Sequence, residues 1–350
     1  MKTVIILGAG ISRAASGNKP LATRPPLDAD FFTIARASQR ERSDQVSQIL
    51  DDLVGDYAHT LRSSLEASAA YLYLKAIDSS SGSVYHRGFL DLLQLLNLVL
   101  ARTTNDLSLG PRSLLYRFLL SEITKAGKPK NLTIITFNYD LLAERALYEI
   151  SSKKGAEVFS FPGCYRLDDI ERIQNVSGCD AFPDTSKDHN GVAILKLHGS
   201  MNWQSKHTSS EPTPSALFSP NRLLHVLNTP EIPGSLSWKP KKRRIYMKPI
   251  IVPPVSGKRG MMHNCMPKLW SVASKALQQA DRVVVAGYSC PPLDLEARIL
   301  LSENLRKNSG KKLYVIDPNA ESAAKFIEIC GVDHATIYRS VKDWVRDADN

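Results

Sequence analysis

Polar residues and glycines stand directly after five apolar runs of the sequence, at points where buried strands would end. Asn138 and Asp140 follow the run LTIITF, and His198 follows VAILKL. An imidazole with an ordinary pKa of about 6.5 can accept a proton near neutral pH, and a carboxamide can orient a polar substrate. Each residue also has a structural interpretation, because Asn or Asp can cap the helix that follows and a strand-end histidine can simply pack. Five such strand ends in one chain favour a shared site.

The remaining three strand ends are GAGIS, GYSCPPLD and VIDPN. They carry Gly8, Ala9, Gly10 and Ser12, then Gly287 and Ser289, then Asp317. Glycine permits a tight turn and brings backbone amides close to a pyrophosphate, while an aspartate can accept hydrogen bonds from ribose hydroxyls.

The glycine segment departs from the dinucleotide fingerprint of hydride-transferring dehydrogenases. Arg13 stands where the third glycine belongs, and no strand with a terminal acidic residue follows within about 20 residues. The segment is therefore typical of nucleotide binding but not of a dehydrogenase. A plain strand-to-helix turn is the alternative interpretation.

Continuous apolar runs separated by helical periodicity predict an α/β fold with a Rossmann-like, doubly wound, mostly parallel sheet. The expected strands are 3–7, 132–138, 192–198, 245–252, 282–289, 312–317 and 335–340, and the expected helices between them are 139–150, 265–280, 293–307 and 319–330. Residues 1–27 and 128–350 would form the nucleotide-binding domain. An all-helical insertion, residues 28–127, and a long loop rich in Pro, Ser and basic residues, 200–244, would interrupt it.

Composition limits the choice of partner and compartment. The chain has 350 residues, 43% of them hydrophobic, and a formal net charge of +10, which favours contact with nucleotide phosphates, nucleic acid or an acidic partner. The five cysteines include no C-x-x-C pair, so we expect no zinc site, no disulfide framework and a cytoplasmic protein. The apolar stretch 89–101 is interrupted by polar residues and is expected to be a core helix, not a membrane span. The basic segment 239–244 suits nucleic acid or an acidic partner, with a solvated loop as the alternative.

Taken in order, the strand ends resemble the motifs of sirtuins, the silent-information-regulator class of NAD-consuming enzymes. The matching segments are Gly8-Ala9-Gly10-Ile11-Ser12, Asn138-x-Asp140, His198-Gly199-Ser200, Gly287-x-Ser289 and the strand ending at Asp317. The resemblance implies that the glycine loop cradles the pyrophosphate of NAD and that Ser289 and Asp317 hold its adenosine side. It also implies that Asn138, Asp140 and His198 surround the nicotinamide riboside.

The chain also departs from the pattern of protein-deacylating sirtuins. MNWQSKHTSSEPTP follows the histidine in place of zinc cysteines, and RPPLDADFF replaces the expected Pro-Asp-Phe-Arg segment. With the helical insertion, these departures resemble the sirtuin-like NADases of bacterial anti-phage defence. That resemblance implies an NAD+ glycohydrolase that releases nicotinamide and ADP-ribose, or a cyclic form, in abortive infection. The alternatives are an NAD-dependent protein deacylase and a non-catalytic module that senses NAD or ADP-ribose.

Because uncontrolled loss of NAD would kill the host, the resemblance also implies a gate. We expect a homo-oligomer, a partner ATPase or nuclease, or a phage-derived activator to supply it, and we expect no membrane association.

Overall fold

The computed structural model describes most of the 350 residues. The described residues are 1–79, 83–154, 158–167, 170–173, 182, 190–208, 224–233, 236–238, 245–252, 265–306, 310–332 and 335–349.

Strands and helices alternate over most of the described chain. The strands are β1 (Thr3–Leu7), β2 (Leu132–Thr136), β3 (Ile170–Ile173), β4 (Ala193–Lys196), β5 (Gly199–His207), β6 (Leu224–Leu227), β7 (Leu236–Trp238), β8 (Ile245–Ile251), β9 (Arg282–Ala286), β10 (Lys312–Ile316) and β11 (Thr336–Tyr338). The helices are α1 (Ala9–Ala15), α2 (Phe31–Ser38), α3 (Arg40–Val54), α4 (Ala58–Arg62), α5 (Leu65–Ile77), α6 (Val84–Thr104), α7 (Leu114–Ala126), α8 (Leu142–Lys154), α9 (Cys265–Gln279), α10 (Leu295–Arg306), α11 (Ala320–Cys330) and α12 (Val341–Asp349).

A six-stranded parallel sheet organises the fold. Its spatial order is β11-β10-β9-β1-β2-β4. Counted along the chain within this sheet alone, that order is 3-2-1-4-5-6, which is the arrangement of doubly wound dinucleotide-binding folds. Strands β1 and β9 are buried throughout, as a parallel sheet covered by helices requires. The predicted α/β fold class is confirmed.

The connection from β1 to β2 is helical, as the sequence predicts. Helices α2 to α6 pack mainly against one another, whereas α7 contacts β2, α8 and α12. Helix α7 is therefore a crossover helix on the parallel sheet, although it lies inside the predicted insertion 28–127. The division of the chain into these domains stays a prediction.

A second sheet corrects the prediction of a long loop at 200–244. Its order is β3-β6-β5-β8-β7, and its pairs are antiparallel except for β3 with β6. The strand predicted at 245–252 is β8, and it belongs to this sheet and not to the parallel one. The loop prediction was wrong for β5 because this strand is rich in polar residues, a composition typical of a loop. In the structure these side chains are buried and hydrogen-bonded: Ser200 donates to Asn202, and Asn202 donates to Tyr165. The segments 209–223, 234–235 and 239–244, which include the basic run, lie outside the described residues.

Candidate functional site

The five predicted strand ends lie along one edge of the parallel sheet. Leu7, the last residue of β1, is in register with Thr136 of β2 and Ala286 of β9. Ala286 is in register with Ile316 of β10, and Thr136 with Lys196 of β4. We call the side of the sheet where these strands end the carboxyl edge. Ligands of doubly wound folds bind at this edge, at the point where the strand order reverses, and here that point lies between β1 and β9.

The glycines at the reversal point allow two loops to pack backbone against backbone. A Cβ atom on Gly8 would lie 2.4 Å from the carbonyl oxygen of Gly287, and one on Gly10 would lie 2.7 Å from the Gly287 Cα. The Gly10 amide donates to that same carbonyl at 2.9 Å. Packing alone therefore accounts for these glycines, and the pyrophosphate contact of the loop, with exposed Ala9 at its tip, stays a prediction.

Asn138, Asp140 and Ser12 are joined by hydrogen bonds. The Asn138 Nδ2 donates to the Gly8 carbonyl at 2.9 Å and to the Ser12 Oγ at 3.0 Å. The Ser12 Oγ donates to the Asp140 Oδ2 at 2.6 Å, while the Asp140 Oδ1 accepts the amide of Leu142 at 3.0 Å. Asp140 thus caps α8, as the structural interpretation held, and also fixes Ser12. The half-buried Asn138 is tied to the glycine loop.

His198 pairs with an aspartate that the sequence analysis did not single out. Its Nε2 lies 3.1 Å from the Asp294 Oδ2, which also accepts the Tyr288 hydroxyl at 3.0 Å. The side chains of His198 and Asp294 are 3% and 0% exposed. A carboxylate on one imidazole nitrogen fixes the tautomer and stabilises the protonated ring. The only sequence signal for Asp294 was its position at the end of GYSCPPLD, immediately before α10.

Aromatic rings surround this pair. Phe137 stacks on Tyr288 with ring centroids 4.2 Å apart, and its ring meets that of His198 edge-on at 5.0 Å. Because Tyr288 and Asp294 belong to the same loop, residues 287–294 extend across the carboxyl edge from β9 to the end of β4.

The charges of three acidic residues act on the aromatic side of the site. Burial raises the pKa of the Tyr139 hydroxyl well above its usual value, and the nearby charges of Glu66, Asp294 and Asp28 raise it further. Burial also raises the pKa of Tyr288, to which Asp294 and Glu66 contribute. Asp28 and Glu66 belong to the region between β1 and β2. The helical region therefore adds negative charge to the site, and negative charge stabilises a cationic ligand or transition state.

A buried ion pair lies beneath Asn138 and Asp140. The Lys196 Nζ lies 2.9 Å from the Glu144 Oε1 and donates to the Asp140 carbonyl oxygen, with side-chain exposures of 1% for Lys196 and 0% for Glu144. A cavity of about 10 Å³, room for one water molecule, is lined by both members of the pair and by Asn138, Asp140 and Ser12. Within the described residues the Glu144 Oε2 has no hydrogen-bond partner. Lys196 belongs to the run VAILKL, but no role for it was predicted from the sequence.

The residues predicted for the adenosine side lie farther along the same edge. Ser289 is exposed, two residues beyond Gly287. Asp317 is half-buried and accepts the amide of Asn319 at 2.8 Å, and its partial burial raises the pKa of its carboxyl group. Their contact with a nucleotide stays a prediction.

Metal ligands and membrane helices were searched for in the part of the chain that the structure describes. No group of three or more His, Cys, Asp or Glu side chains there converges as a metal ion would require. No described helix is long and apolar enough to cross a membrane.

Comparison with known proteins found similarity among solved structures only. No family model matches the chain, and no curated protein matches it. The chain is similar to a sirtuin studied for substrate affinity, at 14% identity and a TM-score of 0.38, over 99% of this chain and 90% of that one. It is similar to a Sir2 protein with a p53 peptide and NAD+, at 13% identity and a TM-score of 0.39, over 99% of this chain and 90% of that one. It is also similar to a structure on the mechanism and regulation of Sir2 enzymes, at 14% identity and a TM-score of 0.42, over 99% of this chain and 91% of that one. Identities and TM-scores this low carry no argument, so the fold assignment rests on the strand order.

Proposed function

We propose that this chain binds NAD+ along the carboxyl edge and hydrolyses the bond between nicotinamide and ribose. One observation carries the proposal: a single sheet edge holds Asn138, bonded to the glycine loop, and His198, bonded to Asp294. The products would be nicotinamide and ADP-ribose or a cyclic form. The order of the motifs, which resembles that of sirtuins, supports NAD+ as the substrate.

The chemistry requires stabilisation of a cation. Cleavage of the nicotinamide–ribose bond passes through an oxocarbenium-like state, so the protein must place negative charge and dipoles near the sugar and a nucleophile on the opposite face. Glu66, Asp294 and Asp28, whose charges act on the Tyr139 hydroxyl, supply that charge. This acidic, aromatic surrounding also suits the positively charged nicotinamide ring before cleavage.

The polar side chains take distinct roles. Asn138 orients the ribose and the attacking water, while Asp140 holds Asn138 in place through Ser12. His198 accepts a proton from a ribose hydroxyl or from the water, and Asp294 stabilises the imidazolium that results. Because His198 and Asp294 are nearly fully buried, residues 287–294 must shift to admit the substrate.

The adenosine half of the substrate extends towards β10. The loop of Gly8, Ala9 and Gly10 contacts the pyrophosphate, and Ser289 and Asp317 bind the adenosine ribose. No zinc is needed for these contacts.

The biological role we propose is abortive-infection defence in the cytoplasm. Its support is the resemblance of the KLHGSMNW, FNYD and GYSCPPLD segments to that branch of proteins. Hydrolysis would be gated by homo-oligomer assembly, by a partner ATPase or nuclease, or by a phage-derived activator.

The test is nicotinamide release from NAD+ by the purified full chain at several protein concentrations. His198→Ala and Asn138→Ala are each expected to lower the rate about 100- to 10,000-fold, the usual cost of losing a positioned acid–base or electrostatic group. His59→Ala, which removes an exposed histidine on α4, is the matched control and should leave the rate unchanged. Rates of the two site variants within about threefold of wild type would refute the assignment.

The same assay separates the two rival functions. Release that requires an acetylated peptide would indicate a protein deacylase. A rise in melting temperature with NAD+, without nicotinamide release at any protein concentration, would indicate a sensing module. The burial of His198 favours this second function, because a buried imidazole does not reach a bound substrate unless residues 287–294 shift.

A further inference from the structure

A second pocket, of about 230 Å³, opens at the opposite edge of the parallel sheet, where its strands begin. Its lining includes Lys125, Arg282, Lys312, Tyr314, Trp344 and Asp347. Arg282 and Lys312 are the first residues of β9 and β10, and they are in register with each other. Small-molecule sites usually measure about 300–1,000 Å³, so this pocket suits a small ligand. We call it the amino-edge pocket.

A buried ion pair forms the floor of the amino-edge pocket. Both terminal nitrogens of Arg282 donate to the Glu122 carboxylate, which also accepts the Trp344 Nε1 at 3.0 Å. The side chains of Glu122 and Arg282 are 0% and 5% exposed. The Arg282 guanidinium also lies 5.1 Å from the Tyr314 ring centroid and 5.2 Å from that of Trp344. These contacts hold the floor rigid and leave it close to electrically neutral.

The charges that remain at the pocket favour an anion. The Lys125 Nζ lies 3.7 Å from the Glu122 carboxylate, whose charge Arg282 already balances, and 4.5 Å from the Trp344 ring centroid. Partial burial lowers the pKa of Lys125, and the charge of Arg282 lowers it further, although the charges of Glu122 and Asp347 act in the opposite direction. An anion bound beside this ammonium group would offset its burial and its repulsion by Arg282. Lys312 adds a second, exposed ammonium group.

Asp347 adds a feature that a bare anion does not use. It also lines the pocket, where burial raises the pKa of the Tyr338 hydroxyl and the charge of Asp347 raises it further. A ligand that combines an anionic group for the lysines with a hydrogen-bond donor for the aspartate would contact both. A phosphate ester on a hydroxylated sugar ring has both, and the C–H face of a sugar packs well on aromatic rings.

We propose that the amino-edge pocket binds a sugar phosphate. The phosphate lies between Lys125 and Lys312, and the sugar ring packs against the half-buried Tyr314. A ring hydroxyl donates to Asp347. The site is separate from the carboxyl edge and does not depend on the reaction proposed there.

The test follows the tryptophan fluorescence of the full-length chain, in which Trp344 is one of four tryptophans, during titration with ribose 5-phosphate, AMP or inorganic phosphate. Ribose 5-phosphate is expected to give a saturable change, and AMP tells whether a base is tolerated. Lys312→Ala, which removes an exposed side chain and leaves the floor intact, and Lys125→Ala should each weaken binding about tenfold, the cost of one charge-assisted hydrogen bond. Lys128→Ala, an equally charged change at an exposed lysine outside the pocket, should leave affinity unchanged.

Calorimetry with two further variants locates the ligand. Trp344→Phe should abolish the fluorescence change while the calorimeter still detects binding. Asn138→Ala should bind as wild type does, because it lies at the carboxyl edge. Three outcomes would overturn the proposal: no saturable binding of either sugar phosphate, affinity that the lysine variants leave unchanged, or inorganic phosphate binding as tightly as ribose 5-phosphate.

Discussion

Replacing Lys196 by methionine should lower the free energy of unfolding by about 3–5 kcal/mol, the usual cost of removing one member of a buried ion pair. Methionine keeps much of the length and apolar volume of the lysine stem, so packing changes little. The change leaves the Glu144 carboxylate buried with the Tyr165 hydroxyl as its remaining hydrogen-bond donor among the described residues. The Asp140 carbonyl also loses the donor that Lys196 supplies.

The separation of the two charges sets the size of the effect. At 2.9 Å and an effective dielectric constant of about 20, the attraction between Lys196 and Glu144 is about 6 kcal/mol. Most of it only offsets the cost of removing both ions from water. The single variant therefore loses the attraction but keeps the desolvation of Glu144. Removing both charges, in Lys196→Met/Glu144→Leu, should restore at least about 2 kcal/mol relative to the single variant.

The assay is urea unfolding at pH 7, followed by circular dichroism, on wild type, both single variants and the double variant. Arg102→Met is the matched control, since Arg102 and Asp106 are 60% and 76% exposed and their pair should contribute less than about 1 kcal/mol. The reasoning fails if Lys196→Met costs no more than the control. It also fails if the two single losses simply add in the double variant, because the charges would then be uncoupled.

Three further outcomes are expected. Asp294→Asn should lower nicotinamide release about 100-fold and move the acid limb of its pH profile to lower pH, because the His198 imidazolium loses its carboxylate; a purely structural role would leave the profile in place. Gly287→Ala should lower the unfolding midpoint more than Gly17→Ala. Both glycines have positive φ, +63° at Gly287 and +57° at Gly17, so both variants strain the backbone. Only at Gly287 would the new Cβ also lie 2.4 Å from a backbone nitrogen, because nothing lies within 4 Å at Gly17. Burial raises the pKa of the Cys290 thiol from 9.0 to about 12. The unfolded chain therefore loses this proton at lower pH than the folded chain, and the free energy of unfolding should fall as pH rises from about 9 towards 12. The urea midpoint, measured against pH, should fall less steeply in Cys290→Ala than in wild type.

The parallel sheet was predictable because its strands are buried on both faces. Burial of both faces requires continuous apolar runs, and TVIIL in β1 and RVVVA in β9 read as strands for that reason. Once the strands were known to be parallel, their polar ends had to gather at one edge. The alignment of Leu7 with Thr136 and Ala286 is the consequence that the structure shows.

The second sheet was not predictable from hydrophobicity. Strand β5 buries Ser200, Asn202 and Gln204 at 0%, 0% and 3% exposure, and each makes a side-chain hydrogen bond. A buried polar side chain is stable only when it is bonded. Ser200 and Gln204 bond within β5, but Asn202 bonds to Tyr165, which is remote in sequence. Asp294 was missed for the same reason: it lies 96 residues after its partner His198, and only the path of the 287–294 loop across the sheet brings them together.

The glycine motif alone does not identify a nucleotide site in this protein. Gly8 and Gly10 are required by their contact with Gly287, whether or not a phosphate binds there, so their spacing is equally compatible with loop packing and ligand binding. Loop packing does not account for the charge beside Tyr139, where burial raises the pKa of the hydroxyl and the charges of Glu66, Asp294 and Asp28 raise it further. Like charges that lie near one another repel, and this repulsion is unfavourable for folding. A cationic substrate or transition state would lower it, in addition to the pairing of Asp294 with His198.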